Sequence, residues 1–99
     1  MLDENYLWNI HSKVIASKHK QKIISILEMG PQTPLMISEL LQTSTTYTST
    51  TLSQLVSLNI IVCLTPDRRK GKLFGLTGKG RSYLNFVKQR VLPRMVNSI

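Results

Sequence analysis

The sequence predicts a mainly α fold of the α+β class, with three core helices, a two-stranded β-hairpin and a further helix at each end. Three observations carry that prediction. Apolar residues recur at three- and four-residue spacing in five separate stretches. A β-branched run of strand length, IIVCLT at 60–65, is followed by a turn-rich PDRRKGK and a second short run, LFGLT at 73–77. Helix-start or helix-stop residues stand at most of the junctions between them. The 99 residues suit one domain with a single hydrophobic core, and 41% apolar content with few aromatics fits a small helical protein.

Residues 3–16, DENYLWNIHSKVIA, set Leu7, Ile10 and Val14 on one helical stripe with Tyr6 and Trp8 beside it. Asp3 and Glu4 suit the positive end of that helix dipole. Ser17 is expected to cap a second helix, residues 18–29, with Ile23, Ile26 and Leu27 inward and Ile24 at the edge. Lys18, Lys20 and Lys22 fall in its first turns, where cations oppose the dipole; solvent screening is the expected remedy, a nearby phosphate the alternative. Gly30 and Pro31 stop this helix, and Thr33 followed by Pro34 starts the next as N-cap and first helical position. Ile37, Leu40 and Leu41 make its apolar stripe, which Gln42, Thr43 and Ser44 interrupt. Ser44 then caps a helix in which Thr48, Leu52, Leu55 and Val56 share one face, and Thr46, Tyr47, Thr50, Ser53 and Gln54 the other. Residues 34–58 therefore read as a helix-turn-helix. Asn59 is the C-cap candidate, and 60–77 folds as a hairpin with a basic tip. Thr77, with Gly78 and Gly80, opens a last helix at about 78–92, on which Leu84, Val87, Val91 and Met95 recur at helical spacing before or around a kink at Pro93.

Charge narrows the function. The net charge is +8, from 13 Lys/Arg against 5 Asp/Glu, which attracts polyanions such as nucleic acid or an anionic membrane surface. Residues 40–66 carry no charge, whereas nine Lys/Arg and no acid follow Asp67. Four of those nine, Arg68, Arg69, Lys70 and Lys72, crowd the hairpin tip. A single cysteine, Cys63, excludes an intramolecular disulfide and fits a reducing cytoplasm, where a β-branched strand would bury it as a small core residue. No apolar run reaches the roughly 18 residues of a membrane span, and no signal-peptide pattern is present. His11 and His19 lack metal-spaced partners, and no phosphate loop, dinucleotide fingerprint or nucleophile elbow occurs, so neither a metal, a cofactor nor an enzyme is expected.

The order of elements, carried by SKHKQKIISILEMGPQTPLMISELL at 17–41, the Thr-rich helix, and LSQLVSLNIIVCLTPDRRKGKLFGLTGKGRSYL at 52–84, resembles winged helix-turn-helix transcription regulators of the MarR and ArsR type, most of all small archaeal members. The resemblance covers about two thirds of the chain and is more specific for fold than for function. It implies that the third core helix enters the major groove of double-stranded DNA and that the hairpin, the wing, contacts backbone or minor groove. The residues that inherit those roles are Ser44, Thr45, Thr46, Tyr47, Thr50, Ser53 and Gln54 on the helix, and Arg68, Arg69, Lys70 and Lys72 on the wing. This helix departs from the pattern of such readers in having no Arg, Lys or His to pair with base edges, so affinity is expected from the wing and only modest, A·T-leaning preference from the helix. The alternative is a winged helix serving protein or RNA contacts without sequence-specific DNA reading. A homodimer through the terminal helices is also expected, since Leu7, Ile10, Val14, Leu84, Val87 and Val91 offer more apolar surface than the core and hairpin need; folding back onto their own subunit is the competing outcome.

Overall fold

The structure is a computed structural model that describes residues 3–92. Its elements run α1 (Glu4–Ile15), α2 (Lys18–Glu28), α3 (Pro34–Leu41), α4 (Thr45–Ser57), β1 (Ile61–Cys63), β2 (Phe74–Leu76) and α5 (Gly78–Phe86), and α5 continues into a π-helical turn at Val87–Val91. The expected kink at Pro93 and the place of Met95 lie outside the described residues.

Each helix start is fixed by its own cap. Asp3 accepts from Asn5 N–H, Ser17 from Lys20 N–H, Thr33 from Met36 N–H, Ser44 from Tyr47 N–H and Thr77 from Gly80 N–H, at 2.9–3.3 Å. The stops follow the same chemistry. Gly30 at φ 147° ends α2, Gln42 at φ 54° makes the tight α3–α4 turn, and Asn59 at φ 62° lies just beyond α4. Inside that α3–α4 turn, the buried Ser38 hydroxyl donates to the Pro34 carbonyl at 2.8 Å and Thr43 N–H to the Ser38 carbonyl at 3.0 Å.

The core is one cluster in which Ile23, Ile37, Leu52, Leu55, Ile60 and Ile61 are almost wholly enclosed. Three expected faces are shifted by a residue. In α2, which packs on α1, α3, α4 and β2, Ile24 is buried and Ile26 only half so, because neighbours on two sides widen the inward arc. In α3, Leu40 is 62% exposed and Ser38 takes the inner position beside Ile37. In α4, Val56 is exposed and Thr51 joins Thr48, Leu52 and Leu55 inside. The last helix buries aromatics, Tyr83 and Phe86, while Leu84, Val87 and Val91 are half-buried beside the core. Leu7, Ile10 and Val14 of α1 lie in that same core, and Trp8 meets Phe86 edge-on at 4.8 Å. The α1 stripe assigned to a second subunit is therefore already covered by the chain's own last helix.

The hairpin pairs Ile61 with Leu76, Val62 with Gly75 and Cys63 with Phe74, antiparallel. Both strands are shorter than 60–65 and 73–77, because Thr65 leaves the ladder to accept Leu73 N–H on its side-chain oxygen at 2.9 Å. Cys63 is only half-buried. Gln32, from the α2–α3 turn, bridges Phe74 with two backbone bonds of 3.0 and 2.9 Å, so the hairpin is fastened to the core as a short third rung. A second fastening lies at its base. Thr77 N–H donates to the Ile60 carbonyl at 2.9 Å, and a Cβ on Gly80 would stand 2.2 Å from that same oxygen.

Gly80→Ala is therefore expected to destabilise the protein by about 3 kcal/mol, read as a lower denaturant midpoint at unchanged slope. Thr48→Val should do the reverse: the Thr48 hydroxyl is fully buried with no hydrogen-bond partner, and removing it should add about 1 kcal/mol. A lower midpoint for Thr48→Val would mean that the hydroxyl is satisfied.

Candidate nucleic-acid interface

Helix α4 sorts its residues by angle. Thr48, Thr51, Leu52 and Leu55 face the core, so the side opposite them, Thr46, Thr50, Ser53 and Ser57, points straight out. Thr45 and Ser49 border that outward strip on one side, and Tyr47 and Gln54 on the other. All of these outer residues are exposed and none is charged. Two of the hydroxyls are already engaged: Thr50 donates to the Thr46 carbonyl at 3.1 Å and Ser57 to the Ser53 carbonyl at 3.0 Å. With its hydrogen committed, the Thr50 oxygen is left as an acceptor.

The charge stands on two banks beside this neutral strip. On the Thr45 side, the wing tip folds over to form a cleft of about 680 Å³ lined by Thr33, Leu35, Thr45, Ser49, Arg69 and Lys72 among others. Gly71, at φ 66°, turns the tip, and the Arg68 guanidinium reaches its carbonyl at 3.5 Å. Arg68, Arg69 and Lys70 are exposed, and Asp67 precedes them in sequence. On the Tyr47 side stands the first turn of α2. His19 stacks on Tyr47 with ring centroids 4.2 Å apart and planes 9° off parallel, and its Nδ1 lies 2.9 Å from the Thr51 hydroxyl. That contact brings the first turn of α2, with Lys22 beside His19, alongside the start of α4, although 23 or more residues separate them in sequence. Among the described residues no group of three His, Cys, Asp or Glu is placed to hold a metal, and no helix is long and apolar enough to cross a membrane.

No family model matches the chain, and no curated protein matches it. Solved structures do. RV1404 from Mycobacterium tuberculosis superposes with a TM-score of 0.72 at 21% identity, covering 96% of this chain and 67% of that one. The domain of Mb0332 from Mycobacterium bovis, described as a homodimeric winged helix-turn-helix DNA-binding domain of a possible ArsR-family transcriptional regulator, gives 0.68 at 19% identity over 89% of this chain and 80% of that one. HlyU from Vibrio cholerae gives 0.70 at 13% identity over 91% and 98%. The fold is a winged helix-turn-helix.

In this winged helix, the six α4 residues picked out from sequence come to one surface, with the cap Ser44 at its end, and three of the four wing cations, Arg69, Lys70 and Lys72, line the cleft at its border. The sequence-based expectation left out Ser49 and Thr33 in the cleft and Ser57 at the end of the outward strip, and it singled out the α2 lysines without linking them to α4. Ser49 was legible as the residue four after Thr45. The α2 lysines were not, because only the packing of α2 on α4 brings them there.

The winged helix also buries His19 and half-buries His11 in ways that resist protonation. His11, whose Nδ1 lies 2.7 Å from the Tyr83 hydroxyl, has its pKa lowered by burial, and so has His19, with the nearby Lys22 adding to the effect. Burial raises the Tyr83 phenol to about 12. A histidine whose folded pKa lies below its unfolded value of 6.5 refuses a proton that the unfolded chain accepts. Stability should thus be level above about pH 7.5 and fall as pH drops through about 6.5. Denaturant titrations at a series of pH values check this; a double variant, His11→Asn with His19→Asn, that kept the same slope over that range would refute it.

Proposed function

We propose that this protein is a DNA-binding transcriptional regulator of the ArsR or MarR type, with α4 in the major groove of double-stranded DNA and the basic banks on the flanking phosphates. The observation that carries this reading is the arrangement of the α4 surface: a neutral strip of hydroxyls between the cations of the wing and the first turn of α2, where Lys22 lies beside His19. A duplex asks for that division, with phosphates along both rims of the groove and base edges between them. N–H groups left over in the first turn of α4 add donors for a phosphate.

The chemistry of the strip sets what it reads. A Thr50 oxygen that only accepts suits the amino groups of adenine or cytosine, which donate into the major groove, and is useless toward a phosphate. Threonine methyls suit the thymine methyl. With no forked or cationic side chain on α4 to take guanine, preference is modest and leans to A·T pairs.

The regulator acts as a homodimer through α1 and the last helix. Support comes from the Mb0332 domain, whose description names it homodimeric, and from an apolar cleft of about 260 Å³ between α1, α2 and α5, bordered by the exposed Ile15 and Leu92. Two-fold symmetry then sets the two copies of α4 about 34 Å apart and calls for a pseudo-palindromic site. The competing reading, a protein-interaction module, draws on exposed Leu35, Met36 and Leu40 of α3.

Titration of random and A·T-rich duplexes at several salt concentrations separates the two. DNA binding is expected, with a log–log salt slope of roughly −4 to −5, and absence of binding at low salt would refute it. Replacing Arg68, Arg69 and Lys70 together with alanine should weaken all sequences alike and shrink the slope by about 2 to 3. Thr50→Val, which keeps a methyl and loses the acceptor, should instead change the ranking of sequences at little cost to the slope. Equal effects of the two changes would show that α4 reads nothing.

A further inference from the structure

We propose that His19 is the positioning residue for Tyr47, holding the phenol in one orientation at the α2 edge of the reading strip; its consequence for base preference rests on the DNA-binding reading above. Tyr47 is half-exposed and stands on the first turn of α4. One face of its ring is covered by the His19 imidazole, 4.2 Å away and nearly parallel. The remainder of the ring is open to a ligand.

The hydrogen bonds around this pair settle how the imidazole is held. A threonine hydroxyl has one hydrogen, and that of Thr51 is directed to the Tyr47 carbonyl at 3.0 Å. Toward His19 Nδ1, 2.9 Å away, the Thr51 oxygen can then only accept. Nδ1 therefore carries the proton, and His19 is the Nδ1–H tautomer. Its Nε2 is a bare lone pair, sealed from water and without a partner. Adding a proton there would bury a charge with no acceptor, next to Lys22 and close to Lys18 and Lys20 on the same helix; across the contact, α4 offers only the neutral Tyr47 phenol and Thr51 hydroxyl. The stack thus stays neutral and its geometry stays fixed.

A phenylalanine or leucine would fill the same space without an unpartnered nitrogen. What histidine adds is the bond to Thr51, which fixes rotation of the platform, and through the Thr51 hydroxyl the same chain of bonds reaches the backbone of Tyr47 itself. A tyrosine on an exposed helix turn would otherwise sample several rotamers and lose that freedom on binding. Here it is ordered beforehand, so any base or sugar it meets is met by a ring already in place.

The test has two arms. In the DNA-free protein, long-range ¹⁵N–¹H spectra should give the Nδ1–H pattern for His19, and the Tyr47 ring protons should lie upfield and return toward random-coil values in His19→Ala. An Nε2–H pattern, or Tyr47 shifts unmoved by the substitution, overturns the proposal. In the second arm, the favoured duplex and its single base-pair substitutions are titrated with each variant. Tyr47→Ala should reduce discrimination about fivefold at one or two positions. His19→Ala should lose the same amount at the same positions, with the double variant losing no more and the salt slope unchanged. Uniform weakening of all duplexes by His19→Ala, or losses that add in the double variant, count against it. Should His19→Ala unfold, His19→Phe keeps the platform and lacks only the Thr51 bond; a partial loss at the Tyr47 positions supports the proposal, and wild-type discrimination refutes it. If no duplex binds at low salt, the DNA reading falls, and the spectra alone decide whether His19 positions Tyr47.

Discussion

The carbonyl oxygen of Ile60 is the point through which the helical core, the wing and the last helix are tied together. It accepts the Thr77 N–H, and the Thr77 hydroxyl reaches both it and the Asn59 carbonyl, at 3.0 and 2.6 Å. The same Thr77 oxygen accepts Gly80 N–H and so caps α5. One side chain thus closes the hairpin, ends the α4–β1 corner and starts α5. The geometry works only if α5 approaches the corner to within hydrogen-bonding distance, and only glycine at position 80 leaves room for it. The direction of the wing relative to α4, and with it the width of the cleft in front of Thr45 and Ser49, is a consequence of this approach.

The same tie explains why an apolar α1 is satisfied within the chain. With α5 pulled against the α4–β1 corner, its Tyr83 and Phe86 enter the core beside Leu7, Ile10 and Val14, and His11 and Trp8 pack on those two rings. The apolar surface left uncovered is consequently narrower than the apolar pattern of the terminal helices implies. It lies along Ile15, Leu84, Val87 and Leu92, where the π-helical turn widens the last helix beside α1 and α2.

Most of the fold was legible because caps and stops are local. Ser17, Thr33, Ser44 and Thr77 each do at their own helix start what a hydroxyl in that place does anywhere. Burial was less legible, since it depends on what packs against a helix from outside it. Ile24 and Ile26 differ by two residues, and only the packing of α2 against α1, α3, α4 and β2 decides which goes inside. Ser38 and Thr51, polar and apparently suited to solvent, are buried because each has a backbone carbonyl four residues back to bond. The candidate site was half legible. The hydroxyl strip and the basic tip are continuous in sequence, whereas the α2 lysines and the His19–Tyr47 stack are products of tertiary packing.

Separating charge from the reading helix has a kinetic and a thermodynamic side. In the proposed DNA-binding reading, cations on the wing and on α2 act at long range, so they would draw the protein to any duplex, less strongly as salt rises. Hydroxyls and methyls on α4 act only at contact. They carry no strongly held hydration shell to shed, as a guanidinium or ammonium would, so entering a groove of the wrong sequence meets little penalty beyond the unpaired groups it leaves. Discrimination by such a surface must come from geometry: a hydroxyl acceptor or a ring held in one place rejects a base edge that does not fit, whereas the same group on a loose side chain adapts to it. A reading helix built from threonines therefore depends more on its supports than one built from arginines does, and in the role proposed for α4 the bonds made by Thr50, Thr51 and His19 would be those supports.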